Sequence, residues 1–266
     1  KRDRGYQSLS TGIIAAGAGD SAAARRMAKQ AGKLLSADQE PLIKLLDAQA
    51  TMLEGKHDEA RKLFEAMVDD PETRLIGLRG LYLEAERLGD VAAARHFANR
   101  AAEAAPQLGW AGKVAMENRI AIGDFEGAIA LLDQQKSAKT ISKDEDRRRR
   151  AVLLTGKAMT LLGDDPQAAR AAAAEANRLA PELVPAAATL AEAMLKLNDQ
   201  RKALRTVEYT WRINPHPELA EIYTRARAAD RPEDRLKRAK TLSGYAPDHP
   251  ESEIMLARAY LLTGEY

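Results

Sequence analysis

The side chains best suited to chemistry are spread along this chain and form no recognisable catalytic set. Because the four histidines lie far apart in the sequence, no carboxylate, histidine and nucleophile can be grouped into a hydrolytic triad. They are His57, His96, His216 and His249. The segment Gly17-Ala18-Gly19 has neither the preceding strand nor the third glycine that a dinucleotide-binding loop requires. We therefore expect surface or turn roles for the histidines and a helix-to-helix turn at the glycines.

The sharpest cluster of charge is the run from Arg147 to Arg150. Successive residues of an α-helix are about 100° apart around the axis, so four consecutive arginines point to all sides and form no single patch. Placed directly after the acidic residues 144–146, the run is typical of a solvated helix start. The alternative is that Arg150, on the concave side by the repeat register described below, contacts an acidic partner.

The composition excludes several kinds of site. The chain has no cysteine, which rules out disulfides, thiolate metal sites and iron–sulfur clusters. Its net charge of +2 comes without a one-sided basic stripe, so we predict no nucleic-acid partner. No apolar run approaches the roughly 18 residues of a membrane-spanning helix. Since no P-loop, zinc-protease or Gly-x-Ser-x-Gly motif occurs either, we predict no catalytic residue, no cofactor and no metal.

Helix formers dominate, and turn signals recur among them at intervals of 36, 34, 34, 40, 35, 32 and 34 residues. A period of about 34 residues is that of the tetratricopeptide (TPR) repeat, in which two antiparallel helices form one unit. Alternating apolar segments of the kind that a sheet needs are missing. The turns begin at Gly19, Gly55, Gly89, Gly123, Gly163, Asn198, Asp230 and Gly264.

Small residues and prolines keep fixed places relative to these turns. Small side chains allow two helices of a pair to cross closely, and proline stops a helix. Five residues after each turn stand Ala24, Ala60, Ala94, Ala128, Ala168, Ala203 and, as the exception, Arg235. Seven residues before the turns, the small residues are Gly12, Ala48, Gly156, Ala191 and Ala257, whereas Tyr82, Met116 and Tyr223 are large. The prolines that follow second helices are Pro71, Pro106, Pro181, Pro215 and Pro247.

These patterns predict an all-α, TPR-like α-solenoid, a right-handed superhelix of about seven helix pairs plus a final unpaired helix. We expect one repeat array over residues 1–266. The polar stretch 137–146 is predicted to be a longer connection, interpreted as a surface loop with a flexion point as the alternative. The predicted pairs are 4–36, 40–70, 72–105, 108–137, 143–180, 182–214 and 217–246, and the last helix is 250–263.

Stacked helix pairs present a concave surface lined by their first helices, which accepts a segment of another protein. Function should then lie in complementarity over a surface, with other proteins as partners. Trp110 is either an anchor for such a partner or part of the core. The residues that the register assigns to the groove are Arg79, Glu86, Arg87, Trp110, Lys113, Glu117, Arg150, Lys157 and Glu192.

Several segments of the chain are specific beyond the general repeat pattern, above all the one from Trp211 to Pro215-His216-Pro217. The others are Arg4-Gly5-Tyr6 with Gly12 and Gly19-Asp20, Gly77-Leu78-Arg79-Gly80-Leu81 with Glu84-Ala85 and Gly89-Asp90, Trp110, Arg149 to Leu154, Leu183-Val184-Pro185-Ala186-Ala187, and Glu218-Leu219-Ala220. In these segments the chain resembles the proteobacterial HemY family of TPR-containing membrane proteins, which are linked by name to haem biosynthesis.

The resemblance implies two N-terminal membrane helices ahead of this segment, with Lys1, Arg2 and Arg4 as the end of their basic flank. By the positive-inside rule the repeats would then face the cytoplasm, the periplasmic face being the alternative. The resemblance further implies a scaffold for proteins, among them tetrapyrrole-pathway enzymes. The alternative function is a haem or porphyrin carrier that uses the concave groove and one histidine as an axial ligand.

Overall fold

A computed structural model describes residues 1–35, 40–226 and 231–264. Over these ranges the chain forms fifteen α-helices and no strand, which confirms the all-α prediction. The helices are α1 Arg2–Gly17, α2 Ser21–Leu34, α3 Pro41–Leu53, α4 His57–Asp69, α5 Arg74–Leu88, α6 Val91–Ala104, α7 Gly109–Ala121, α8 Phe125–Ser137, α9 Lys143–Leu161, α10 Pro166–Leu179, α11 Val184–Lys196, α12 Gln200–Ile213, α13 Pro217–Thr224, α14 Pro232–Ser243 and α15 Pro250–Thr263.

In five of the pairs the turn contains one residue with left-handed backbone, and four of the second helices begin at an aspartate whose carboxylate caps them. Gly89 ends α5 with φ 69°, and Asn198 takes the same conformation with φ 61° before α12. Asparagine is the side chain that most often replaces glycine there. The Asp90 carboxylate then accepts a hydrogen bond from the Ala93 N–H (3.0 Å) and so satisfies a free donor at the start of α6. The predicted turn at Asp230 lies outside the described residues, and of the predicted turn Gly264-Glu265 only Gly264 is described, with φ 72°.

The alanine register, the recurring spacing of the alanines, is best counted from the N-cap residue, which directly precedes each second helix. Four residues beyond that cap, the alanine is buried in six pairs, and an Ala-sized contact lets the two helices approach closely. The prediction of Ala168 is wrong: Ala168 is half-buried, and Ala169 is fully buried. The turn after α9 is one residue longer, because Asp165 rather than Asp164 caps α10. The buried alanines are Ala24, Ala60, Ala94, Ala128, Ala169 and Ala203.

The small residues of the first helices allow close packing in most pairs. Gly156 lies against the Phe125 ring, and Gly12 lies against Leu46 and Met27. Ala257 differs, because it is exposed. The described residues contain no helix after α15 that could cover this face.

The polar stretch 137–146 differs from the predicted long connection. Only residues 138–142 separate α8 from α9, and the extra length lies in α9, which has 19 residues. The Ser142 hydroxyl accepts a hydrogen bond from the Glu145 N–H (3.1 Å), and Glu145 pairs with Arg149 one turn later (2.6 Å). The cap, the acidic first turn and the ion pair together extend the helix through the polar residues.

The described chain divides into two compact units, Lys1–Asn118 and Arg119–Tyr266, with the boundary inside α7. First helices of consecutive pairs contact one another in both units: α1 packs against α3 in the first, and α9 packs against α11 in the second. The core of the first unit includes Leu9 and Leu46, and that of the second is built around Trp211. No helix in the described ranges has the length and apolarity to cross a bilayer.

Arg25 joins α2 to α3 in the first unit. Its guanidinium donates to Glu54 Oε1 (2.7 Å) and Thr51 Oγ1 (2.6 Å) and also pairs with Asp47. The hydrogen bond from Arg25, together with Lys56, lowers the pKa of Glu54 from 4.5 to about 2. The charged form of Glu54 is therefore stabilised by folding.

We expect Gly80→Ala to destabilise the first unit. A Cβ at Gly80 would overlap the buried Phe64 ring, and overpacking of this kind costs about 1–3 kcal/mol. Gly32→Ala is the matched control, since nothing lies within 4 Å of its added Cβ, and alanine should stabilise a helix interior by about 0.5–1 kcal/mol. Urea unfolding should show a lower free energy of unfolding than the wild type for Gly80→Ala and a higher one for Gly32→Ala. Changes of the same sign in both variants would refute the close contact between Gly80 and Phe64.

Glu54→Gln should lower stability at neutral pH. Since folding lowers the pKa of Glu54, its contribution is present above about pH 4.5 and is lost as the pH falls towards 2. The difference in free energy of unfolding between the wild type and Glu54→Gln should therefore shrink over that range. Glu65→Gln, which removes an exposed pair with Arg61, is the control and should have little effect. A difference that does not change with pH would contradict the role of Arg25.

Candidate partner-binding surface

The nine residues predicted to bind a partner divide between the two units. Six lie in the first unit: Arg79, Glu86, Arg87, Trp110, Lys113 and Glu117. Three lie in the second: Arg150, Lys157 and Glu192. Each group is described by itself.

An aromatic and cationic stack joins α5 to α7 in the first unit. The rings of Tyr82 and Trp110 are tilted by 40° with centroids 4.9 Å apart. The Arg79 guanidinium carbon lies 4.5 Å from the Trp110 ring centroid and 5.6 Å from that of Tyr82. All three residues are half-buried. Trp110 is thus neither a sealed core residue nor a free anchor, and it keeps part of its ring at the surface.

Tyr82 is the member of this stack that the groove prediction omitted. It occupies the position seven residues before its turn, where most pairs have a small side chain. That exception was visible in the sequence, because a large ring does not fit where two helices cross closely and has to point away from the crossing. A large residue at this position could therefore have placed Tyr82 in the site, although its contact with Trp110 could not be read from the sequence.

Charged residues of both signs lie beside the stack. Glu86, Lys113 and Glu117 are exposed, and the Lys113 ammonium lies 3.9 Å from a Glu117 carboxylate oxygen. Burial raises the pKa of the Tyr82 hydroxyl, the Glu86 carboxylate raises it further, and Arg79 opposes both. The structure therefore brings five of the predicted residues together around Tyr82 (Arg79, Glu86, Trp110, Lys113 and Glu117).

Arg87 belongs to a different contact. Its guanidinium donates two hydrogen bonds to the buried Glu84 carboxylate (2.6 and 2.9 Å), and His57 Nδ1 lies 3.4 Å from the same carboxylate. The bonds from Arg87 lower the pKa of Glu84. Arg87 thus neutralises a buried acid.

Two of the three predicted residues of the second unit, Arg150 and Lys157, form ion pairs with neighbouring carboxylates. Arg150 pairs with Asp133 (2.5 Å) and with the buried Asp146 (3.1 Å), and Lys157 pairs with Glu126 (2.8 Å). Burial raises the pKa of Asp146, but Lys136 and Arg150 lower it by more. Partial desolvation and the Glu218 carboxylate raise the pKa of Glu192. Binding of an acidic partner by Arg150 would therefore compete with two carboxylates of this chain.

The other three arginines of the run also have acidic neighbours. Arg147 pairs with Asp144 (3.6 Å), Arg148 with Glu182 (2.8 Å) and Arg149 with Glu145 (2.6 Å). The side chains lie on different sides of α9, as the helical geometry predicts.

Two histidines act as helix caps through one ring nitrogen. His216 Nδ1 accepts from the Glu218 N–H (3.2 Å), and His249 Nδ1 accepts from the Glu251 N–H (3.1 Å). His96 lies edge-on to Phe97. Among the residues that the structure describes, no group of three or more histidines and acids is placed to hold a metal ion.

Residues 1–75 match the family model described as "HemY protein N-terminus". This match confirms the resemblance to the HemY family over residues 1–75, which include Arg4-Gly5-Tyr6 but not the segment from Trp211 to Pro217. No curated protein matches the chain.

Solved structures of helical proteins resemble the chain weakly. The assembly chaperone of RpL4 (Acl4, residues 1–338) is 19% identical with a TM-score of 0.36, covering 84% of this chain and 96% of that one. A chain of the APC/C hetero-tetramer Cut9-Hcn1 is 12% identical with a TM-score of 0.33, covering 89% and 59%. TTC0263, a TPR protein of Thermus thermophilus, is 19% identical with a TM-score of 0.25, covering 82% and 98%. At these scores the likenesses carry no conclusion about function.

The Tyr82 hydroxyl should report the charges around the stack. Because Glu86 raises its pKa and Arg79 lowers it, Glu86→Gln should move the titration of Tyr82 to lower pH and Arg79→Gln to higher pH. Ring resonances of labelled tyrosine, assigned with Tyr82→Phe, would follow the titration. The exposed Glu103→Gln on α6 should leave it unchanged. Changes of the same sign in the pKa of Tyr82 in Glu86→Gln and Arg79→Gln would refute the placement of these two charges beside the Tyr82 hydroxyl.

Proposed function

We propose that this HemY-type chain is a non-catalytic scaffold that binds other proteins, and that the surface formed by Arg79, Tyr82 and Trp110 is where a partner docks. The observation that supports the proposal is the half-buried stack itself. Trp, Tyr and Arg are the residues that most often dominate binding energy at protein interfaces. Here they meet on two first helices, the face that a stacked repeat offers to a partner.

The stack is already ordered before any partner arrives. A guanidinium over an aromatic ring contributes about 0.5–1 kcal/mol at an exposed site, and more when it is desolvated. Covering the exposed part of the Trp110 ring would strengthen this contact, while little side-chain entropy would be lost on binding. Preorganisation of this kind favours a protein surface or segment that places an apolar side chain on Trp110.

The charges beside the stack would select among partners. Lys113 carries one positive charge, while Glu86 and Glu117 carry negative charges on the same exposed surface. Complementary charges on a partner raise the association rate and exclude wrong partners more than they add affinity. A suitable segment would present an acidic group towards Lys113 and a basic group towards the two glutamates.

The family match supports a location and a pathway for this scaffold. We propose that it is held at the inner membrane, as the family resemblance implies, with its repeats on the cytoplasmic face, because basic residues such as Lys1, Arg2 and Arg4 stay on that side when they flank a membrane helix. We further propose that the partners include enzymes of tetrapyrrole synthesis. The support for the pathway is the family name alone.

Site-specific photo-crosslinking in living cells tests the docking surface. A photo-reactive amino acid at Glu117 of the full-length protein should crosslink to a distinct partner, because Glu117 is exposed beside the stack. Adding Arg79→Glu and Lys113→Glu should lower the crosslinked yield at least about tenfold, as expected when an interface hot spot is lost.

The same photo-reactive residue at the exposed Arg95, on second helix α6 of the same unit, is the control and should not crosslink to that partner. Far-ultraviolet circular dichroism should be equal for both proteins. An unchanged yield in the Arg79→Glu, Lys113→Glu variant, with helicity retained, would remove this surface from the function.

A further inference from the structure

The seventh helix pair breaks the alanine register. Four residues beyond the cap of each second helix, six pairs bury an alanine, whereas α14 has Arg235 at this position. An alanine there serves only the close crossing of two helices. A long cationic side chain at a contact position is costly unless something compensates its charge.

Arg235 lines a small cavity between α13 and α15 in the second unit. The cavity has a volume of about 140 Å³. Arg225 from the end of α13 and Arg258 from α15 also line it, so three arginines contribute to one cavity lining. The remaining wall is largely apolar and includes Ala220, Met255, Ala259 and Leu262.

The positive charge in this cavity is only partly balanced. Arg225 pairs with Glu221 (2.6 Å), the one acidic residue of the lining. Arg235 Nε is buried and has no hydrogen-bond partner in the part of the chain that the structure describes. Leaving a buried donor unsatisfied costs about 1–3 kcal/mol, and more for a charged group. Among the described residues of the lining, three arginines and one glutamate add up to a formal charge of +2.

We propose that this cavity binds a carboxylate that carries a short aliphatic group. A guanidinium presents its donors as a planar fork that matches the two oxygens of a carboxylate. Met255 and Leu262 would pack against the aliphatic part, which a bare inorganic anion lacks. The carboxylate belongs either to a free small acid or to an acidic side chain of another protein. The site lies in the second unit and does not depend on the surface around Trp110.

Calorimetric titration of the full chain with butyrate at constant ionic strength tests the proposal. The wild type should bind one equivalent saturably, and butyramide, its neutral counterpart, should not bind. Arg235→Ala restores the residue of the other six pairs, so it should fold at least as well as the wild type. It should bind butyrate at least about tenfold more weakly, because a hydrogen bond to a charged group is lost. Arg201→Ala, at an exposed position of the same unit, should bind like the wild type.

A second ligand identifies the source of the carboxylate, and a second variant keeps the test valid if Arg235→Ala does not fold. A blocked dipeptide of leucine and glutamate that binds as tightly as butyrate would indicate an acidic protein side chain; binding of butyrate alone would indicate a free acid. Arg258→Gln alters an exposed residue of α15 and should weaken binding with the fold intact, even if Arg235→Ala unfolds. Equal binding of butyrate by wild type, Arg235→Ala and Arg258→Gln, tighter binding of inorganic phosphate, or no saturable binding to the wild type would overturn the proposal.

Discussion

The close crossing of two helices at an alanine is the contact on which the other features depend. Because alanine lets the helix backbones approach, the turn between them can be short, and in five pairs it contains one left-handed residue. In the second unit, for example, Ala203 is buried behind the turn at Asn198 and the cap position Asp199. Every larger side chain is then displaced from the crossing. Such residues pack between pairs, as Trp211 does, or remain at the surface, as Tyr82 partly does.

The repeat could be predicted from the sequence because its determinants are local. A glycine or asparagine, an acidic cap and an alanine four residues later lie within one short segment, so their spacing recurs along the chain itself. Pro71 and Pro106 each stand two residues beyond the end of a second helix, as predicted. The error at Ala168 arose because Asp164 and Asp165 are both acidic, and only the backbone reveals which of them caps α10.

The candidate site was less predictable because it depends on side chains from different helices. The register assigned both Arg79 and Trp110 to the groove, but it could not show that Arg79 stacks on Trp110 or that Tyr82 contacts both. The register also assigned Arg87 to the groove, since it could not show that Glu84 is buried and needs a cation. Arg235 was visible as an exception to the alanine pattern, whereas its cavity requires α13 and α15 in place.

The greater length of α9 has a consequence for the local order of the chain. With 19 residues against the 14 of α10, it extends about 7 Å beyond its pair at 1.5 Å per residue. The arginines near this overhang reach across to Asp133 and Glu182 on other segments. Coulomb attraction between partly exposed groups is weakened by dissolved ions, whereas apolar packing is not. The first turns of α9 therefore form a salt-responsive segment, whose amide protons should exchange with solvent faster as ionic strength rises while those deeper in the helix remain protected.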